Sequence, residues 1–424
     1  MERFRTTSHA VPSDSYVCSL SVLQNYAMIP TSLHPAYAGL QTARHCTNSG
    51  KHFQTQKDRM SASKPLTALA IDIGYGQVKL SRRNKNGSIE FMSFPSIAVP
   101  ADPSLMRGLH TRARNTFDVS VGDARYEVGV DVTMAQTGND FGREITDSWV
   151  NSPIYEALMK GALRYQGETK IDMLYLGLPV SHYLVQDRQD ALRQMYENKQ
   201  IDLGDSKTVS IGRVHVVPQP LGGFLELADH LDALNQIIVD GGDQFEIEPL
   251  KSAEDIRHLT MLVVDPGENT LDWLFVQQGT INTKASGATS DAGRHRIVRA
   301  VAEALEAKLG APVNKSNLPR INDALRGNWK LKLNGKFHDL TEYRSVVQAT
   351  VRDPINRLIE GLKGLDDRID VIGVVGGHPE FYRDELQLRF QNIPIFVSQN
   401  SIFANLRGYQ ALANEAIRRS EANA

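Results

Sequence analysis

Two stretches of this chain repeat one design. In ALAIDIGYGQVKL (68–80) an apolar strand meets Asp72, turns through Gly74 and Gly76, and returns as a strand carrying Lys79. In LVVDPGENTLDW (262–273) an apolar strand meets Asp265, turns at Gly267, passes Asn269 and Thr270, and returns as a strand. Glycine has no Cβ, so backbone N–H groups at such a turn converge on one point and form a nest for phosphate oxygens. An aspartate at the strand end suits a hard cation held through its water shell. Lys79 on the return strand has the reach to place positive charge on a phosphate. One such hairpin is an ordinary structural turn. Two of them, one in each half of the chain, predict a clamp that grips a polyphosphate from both sides.

Composition sets the frame for that clamp. The chain has 424 residues, enough for two or three domains, and a formal net charge of −2. A near-neutral balance argues against a bulk nucleic-acid coat. The two cysteines, Cys18 and Cys46, both precede the first strong strand, so the body of the chain contains no disulfide framework and no zinc–thiolate site. That fits a reducing cytoplasm. No apolar run is long enough to span a bilayer, and no membrane contact is expected. Residues 1–62 are rich in Ser, Thr, His, Gln and Ala without a sustained period. They read as a disordered extension, or as upstream sequence translated from a misplaced start, with Met60 just ahead of the ordered pattern.

From Leu66 the chain alternates hairpins and helices. Asn86-Gly87 marks a tight turn, and Gly122-Asp123 marks a second hairpin. Helices are predicted in IYEALMKGALRYQ (154–166) and DRQDALRQMYENK (187–199), with the strand IDMLYLGLPV (171–180) between them. TVSIGRVHVVPQPLGG (208–223) reads as a strand pair, and GGFLELADHLDALNQII (222–238) opens a helix. A second module begins near Asp240, where IIVDGGDQFEIE places an acid before glycines but lacks an alternating exit strand and reads as a linker turn. The long helix RHRIVRAVAEALEAKLG (294–310) ends on Gly310 as a C-cap. A helix from Tyr343 is interrupted by Pro354, and VIGVVGGHPEF (371–381) carries a buried strand into Gly376 and Gly377, where a flat base or ribose can lie against bare backbone. The pattern predicts an α/β fold of two similar domains around a cleft: 63–238 with 400–424, and 239–399.

These motifs resemble the superfamily of actin, sugar kinases and heat-shock-chaperone ATPases. Asp72 to Lys79 is similar to its first phosphate loop, VDPGENTLDW to its second, and VVGGHPEF to its adenosine motif. Within that superfamily DIGYGQVK, GLPVSHY, VVPQPLGGF and SIFANLRGYQ look like the plasmid-segregation actins of the ParM/StbA type and their archaeal relatives, and most like the protein D group of PRTRC systems. The resemblance spans about Leu66 to Ala416.

It implies the actin-type ATPase fold around a nucleotide cleft, with ATP, or GTP, and Mg²⁺. Asp72 and Asp265 would hold the metal. Gly74, Tyr75, Gly76 and Lys79 would bind phosphate, opposed by Gly267, Asn269 and Thr270. Gln219 falls where a water-orienting glutamine or glutamate stands in the family, although a turn glutamine between two prolines reads equally well. Gln219 and Asp265 would be the catalytic pair. Gly287 and Gly293 would lie at the ribose, Gly376 and Gly377 at the adenosine, and Asn405 and Arg407-Gly408 match the family pattern as structural residues. The implied partners are further copies of the chain in a head-to-tail filament and a DNA-binding adaptor on a plasmid. The alternatives are a non-polymerising nucleotide switch that recruits a partner and, with no sugar-binding signature to support it, a sugar kinase. Two positions depart from the pattern: Pro266 removes a loop N–H, and Glu268 puts a negative charge where small neutral residues are usual.

Overall fold

Alternation along the first strand sets up the layers. The structure is a computed structural model describing residues 65–101, 114–135 and 149–422. Residues 1–62, with both cysteines, lie outside that set. In β1 (Ala68–Ile73) all six residues are buried. Leu69 and Ile71 face one core, and Ala68 and Ala70 face another. Successive side chains on a strand point to opposite faces, so a strand apolar at every position must be covered on both.

The first sheet is built around β1. It pairs antiparallel with β2 (Gln77–Arg83), which pairs with β3 (Ile89–Pro95) across the turn at Gly87. A smaller sheet joins β4 (Val99–Pro100), β5 (Thr116–Val121) and β6 (Ala124–Gly129). Helix α1 (Pro153–Gln166) starts on Ser152, whose Oγ accepts the Tyr155 N–H at 3.1 Å. It covers the outer face against Leu69, Ile71, Leu174 and Leu176. β7 (Lys170–Leu178) then pairs parallel with β1, followed by the short α2 (Val180–Tyr183), α3 (Gln186–Tyr196), β8 (Lys199–Asp202) and β9 (Thr208–Pro218). The order is β3-β2-β1-β7-β9-β8.

Here the expected strand pair at 208–223 is corrected. Residues 208–218 are one long strand, parallel to β7, and Gln219 is the first residue of α4 (Gln219–Asp229). Pro220 sits in the first turn of α4, where its missing N–H costs nothing. Next, α5 (Leu231–Gly241) ends at Gly242, so the acidic glycine run near Asp240 is a helix terminus.

The second sheet repeats the first. β10 (Thr260–Pro266) forms a hairpin with β11 (Leu271–Gln277), extended by β12 (Thr280–Ile281) and β13 (Gly287–Thr289). α6 (Arg294–Leu309) ends on Gly310 in the left-handed region, as expected. The polar stretch after it holds α7 (Leu318–Arg326) and the hairpin β14 (Lys330–Leu333) with β15 (Lys336–Asp339). α8 (Arg344–Gly361) runs unbroken through Pro354, contrary to the expected interruption. Val347, Val351, Ile355 and Leu358 are buried on one side of it, and that packing outweighs the one lost backbone bond. β16 (Val371–Val374) pairs parallel with β10, then α9 (Pro379–Arg389) leads to β17 (Ile395–Val397), also parallel.

α4 and the last helix, α10 (Ala404–Ala422), lie between the two sheets. Phe224, Leu227, Leu406 and Tyr409 share one core with Ala70 of the first sheet and Val263 of the second. The small side chains of Ala68 and Ala70 let α10 approach β1 closely, and Gln410 Nε2 donates to the Ala68 carbonyl at 3.1 Å. The layers therefore run helix, sheet, helix pair, sheet, helices. The carboxyl ends of β1, β7, β9, β10 and β16 all open toward one cleft, the usual place for a ligand in such sheets. Among the described residues no helix is long and apolar enough to cross a membrane.

Candidate functional site

A cleft of about 280 Å³ lies between the two hairpin tips. Gly74, Tyr75, Gly76 and Lys79 line one wall, and Gly267, Glu268 and Thr270 the other, with Asp265 beside them. Gln219 closes the floor, and Gly376, Gly377 and His378 border one end.

The cleft floor is a buried polar network. Asp72 and Lys79 are directly cross-strand in the β1–β2 register, and Lys79 Nζ donates to Asp72 Oδ2 at 2.9 Å. The other oxygen, Oδ1, accepts from Gln219 Nε2 at 2.7 Å, and the Gln219 carbonyl accepts from Tyr409 Oη at 2.9 Å. Asp72 is fully buried, so this pairing is what allows a carboxylate there. Burial alone would lower the Lys79 pKa, but the fields of Asp72 and Asp265 and the bond to Asp72 raise it overall, keeping the ammonium charged.

Asp265 occupies the same position on β10 that Asp72 occupies on β1. Its Oδ2 accepts from Asn405 Nδ2 at 2.6 Å, while Asn405 Oδ1 accepts from the Gly223 N–H at 3.1 Å. Asn405 thus ties the start of α10 to both α4 and the second hairpin. Gly376 lies against the other oxygen. Its φ is +77°, and a Cβ there would stand 2.1 Å from Asp265 Oδ1, so only glycine fits. Gly377 donates its N–H to the Pro266 carbonyl at 2.7 Å, so Pro266, which has no N–H to give the loop, anchors the adenosine-like turn instead. Across from Asp265 on β11 stands Asp272. Its Oδ1 accepts from the Val180 N–H at 2.7 Å, and its Oδ2 accepts from Thr270 Oγ1 at 2.6 Å. Burial raises the pKa of Asp265 to about 6, against Lys79 and Asn405, which lower it. Burial raises Asp272 to about 7, with Asp265 adding to the rise and Thr270 opposing it. Three acids share one ammonium here, and that shortage of positive charge is what a cation at this spot would relieve.

The predicted residues do not all converge. Tyr75 contributes its turn to the cleft while its ring packs 5.3 Å from Trp149. The Thr270 hydroxyl is directed at Asp272. Asn269 is buried, and its carbonyl accepts the N–H groups of Ala292 and Gly293 at 3.0 and 3.1 Å, which fastens the start of α6 to the second loop. Gly293 therefore supports the loop from behind and is not among the cleft-lining residues. Gly287 is not among them either: it lies in β13, where a Cβ would stand 2.6 Å from the Trp273 indole. The ribose-side expectation for these two glycines does not match that placement. Asn405, Asp272 and Arg294 belong to the site although they were not expected there. Asp272 follows Asp265 by the same seven residues that separate Lys79 from Asp72, and that equal spacing was the available signal.

Two matched α/β halves clasping a cleft between paired hairpin turns are the actin-type ATPase fold. Residues 70–222 match the family model for the N-terminal domain of actin-like proteins, and residues 263–388 match that for the C-terminal domain of the archaeal actin homologue resembling MreB. The chain belongs to the actin-like proteins. Among solved structures it is similar to Ta0583, an archaeal actin homologue in complex with ADP, at 18% identity and TM-score 0.59, covering 82% of this chain and 99% of that one. It is also similar to ParM in a 15-stranded filament from Clostridium botulinum, at 18% identity and TM-score 0.60, covering 83% and 100%. The actin-like protein Alp7A is similar at 13% identity and TM-score 0.61, covering 84% and 98%. At these identities the likeness speaks for the fold. No curated protein sequence matches the chain.

Proposed function

We propose that the chain binds a nucleoside triphosphate, ATP or GTP, with Mg²⁺ in this cleft, hydrolyses it, and uses the two nucleotide states to control its own head-to-tail assembly in plasmid partition. The observation that carries the reading is the placement of Asp72 and Asp265 near the ends of equivalent strands at one cleft, with Asp265 lining it and Asp72 buried directly behind the cleft-lining Lys79 and Gln219. The ADP complex of Ta0583 and the ParM filament support it by likeness.

The donor set fits Mg²⁺. That ion keeps most of its water and takes one or two carboxylates plus phosphate oxygens. Asp72 and Asp265 would supply the carboxylates, and among the described residues no cluster of three or more His, Cys, Asp or Glu forms an all-protein cage. When bound, the ion would neutralise phosphate charge as it builds.

The rest of the chemistry falls to the chain. The bare turns at Gly74–Gly76 and Gly267 cradle phosphate, and Lys79, fixed by Asp72, supplies charge where it develops. Gln219 is held by Asp72 and Tyr409, and it orients the attacking water together with Asp265. Gln219 begins α4 and Asn405 begins α10, so the two helices between the sheets carry the cleft's state to both halves. That is the arrangement a two-state switch needs. Interfaces that repeat head to tail without closing make filaments. A DNA-binding adaptor would attach such a filament to its cargo in the cytoplasm, as in the segregation actins of the ParM/StbA type and the PRTRC group that the motifs resemble.

Sedimentation with Mg²⁺ and ATP, read against turnover at rising protein concentration, tests the reading. Pelleting above a critical concentration, with turnover that rises with it, is expected. A chain that stays in the supernatant, with turnover per molecule constant, is a non-polymerising switch instead.

A further inference from the structure

The two hairpin tips meet across the cleft at one point. A Cβ on Gly76 would lie 2.9 Å from Glu268 Oε2 and 3.0 and 3.1 Å from its Cβ and Cγ. The Glu268 side chain therefore lies flat on the bare backbone of the opposite turn. Arg294, from the start of α6, holds it there. Its Nε donates to Oε2 at 2.7 Å, and its Nη2 donates to the same oxygen. Both side chains line the cleft, and both are largely buried, at 11% and 18% exposed. Arg294 is also close enough to Lys79 for its field to oppose the rise in the lysine's pKa.

The nucleotide reading above assigns the Gly76 backbone to phosphate, and this inference rests on that reading. A carboxylate lying on that surface opposes a phosphate twice, by volume and by like charge in a partly desolvated cleft. The guanidinium that restrains it has the forked geometry that binds phosphate as readily as carboxylate. We propose that Glu268 is a built-in competitor for the nucleotide's phosphates, and that Arg294 is the phosphate-binding residue that its displacement exposes. Binding exchanges one anion for another on Arg294. The contact between the tips is then mutually exclusive with the bound phosphate, so filling the cleft also undoes the Glu268–Gly76 bridge between the two halves. Glu268 is the position at which the second loop puts a negative charge where small neutral residues are usual in the superfamily, and the structure gives that departure a partner and a place.

Titration of the full chain with a fluorescent ATP analogue and Mg²⁺ tests the exchange, in wild type, Glu268→Gln, Glu268→Ala, Arg294→Met and Glu268→Gln/Arg294→Met. Removing the acid should tighten binding about tenfold in both Glu268 variants. Arg294→Met should weaken it about tenfold, and should cost at least as much in the Glu268→Gln background, where no carboxylate competes for the guanidinium. Two Glu268 variants guard against a change in loop stability, which thermal unfolding of each protein reads directly. Glu268 variants that bind no tighter than wild type, or an Arg294→Met variant that binds as well as wild type, overturn the proposal and leave the nucleotide reading standing. Absence of binding by wild type and every variant overturns both.

Discussion

Asp265 and Asp272 face each other in register across β10 and β11, and both are buried. The equivalent pair on the first hairpin is Asp72 and Lys79, an acid with a base. The second hairpin therefore puts an acid where the first puts an ammonium; burial raises the pKa of both Asp265 and Asp272, and the field of Asp265 adds to the rise at Asp272.

That rise makes stability depend on pH with a definite sign. An aspartate near 3.9 when unfolded and near 7 when folded binds its proton more tightly in the folded state. The folded state then holds more protons between about pH 4 and 7, so stability is greatest below that window and falls as pH rises through it. Asp272→Asn retains an acceptor for the Val180 N–H and removes the titration. It should raise stability at pH 8 by on the order of 2 kcal/mol and flatten the slope between pH 4 and 7. Urea unfolding at several pH values, with chelator and without nucleotide, would show it; a slope unchanged by the substitution would place the proton elsewhere.

Asn405 gives a second expectation. Its amide lowers the pKa of Asp265 and ties that acid to α4. Asn405→Ala leaves a buried carboxylate short of one bond, a loss of about 1.5–3 kcal/mol. In the proposed reaction the acid limb of the pH–rate profile should also move to higher pH, because Asp265 then holds its proton more tightly. A loss of stability without movement of that limb would confine Asn405 to packing.

How much of this was legible in the sequence varies with the range of the contact. Asp72, Lys79 and Asp265 stand out because each sits beside a glycine turn at a strand end, a local pattern. The two-part α/β architecture around a cleft was legible too, since hairpins alternate with helices twice along the chain. Asn405 was not legible as a site residue: it reaches Asp265 from 140 residues away, and only the path of α10 between the sheets brings it there. Gly287 misled for the opposite reason. A glycine-rich run before a helix looks like a ligand loop, yet the Trp273 indole, a tertiary neighbour, is what requires a bare Cα. Gln219 was ambiguous between a turn and a site until the parallel pairing of β9 with β7 carried that strand up to Pro218 and made Gln219 the first residue of a helix.

Gly376 offers a test of fit. Alanine there must adopt φ near +77° and place its methyl against Asp265. Backbone strain alone costs about 1–3 kcal/mol, and relief of the contact must shift the acid or the turn. Gly376→Ala should therefore lose both stability and nucleotide affinity. Gly310→Ala, at a left-handed helix end with open space around it, should lose stability without affinity. Thermal unfolding and nucleotide titration of the two variants side by side would separate strain from site, and equal effects on affinity would remove Gly376 from the cleft's working parts.

Lys79 and Asp72 permit the sharpest separation of structure from function. Removing the lysine alone leaves Asp72, fully buried, without its cation, and breaking a buried pair in this way costs about 3–5 kcal/mol. Removing both charges costs less, because no unpaired charge is left behind. Asp72→Asn/Lys79→Met should therefore be more stable than Lys79→Met, by on the order of 2 kcal/mol. Binding should follow the opposite logic. The double variant has neither the ammonium for phosphate nor the carboxylate for a cation, so it should bind nucleotide no better than the single variant despite its recovered stability. Chemical denaturation and nucleotide titration on wild type, both single variants and the double complete the cycle. Affinity that recovers together with stability would mean that Lys79 serves only to neutralise Asp72.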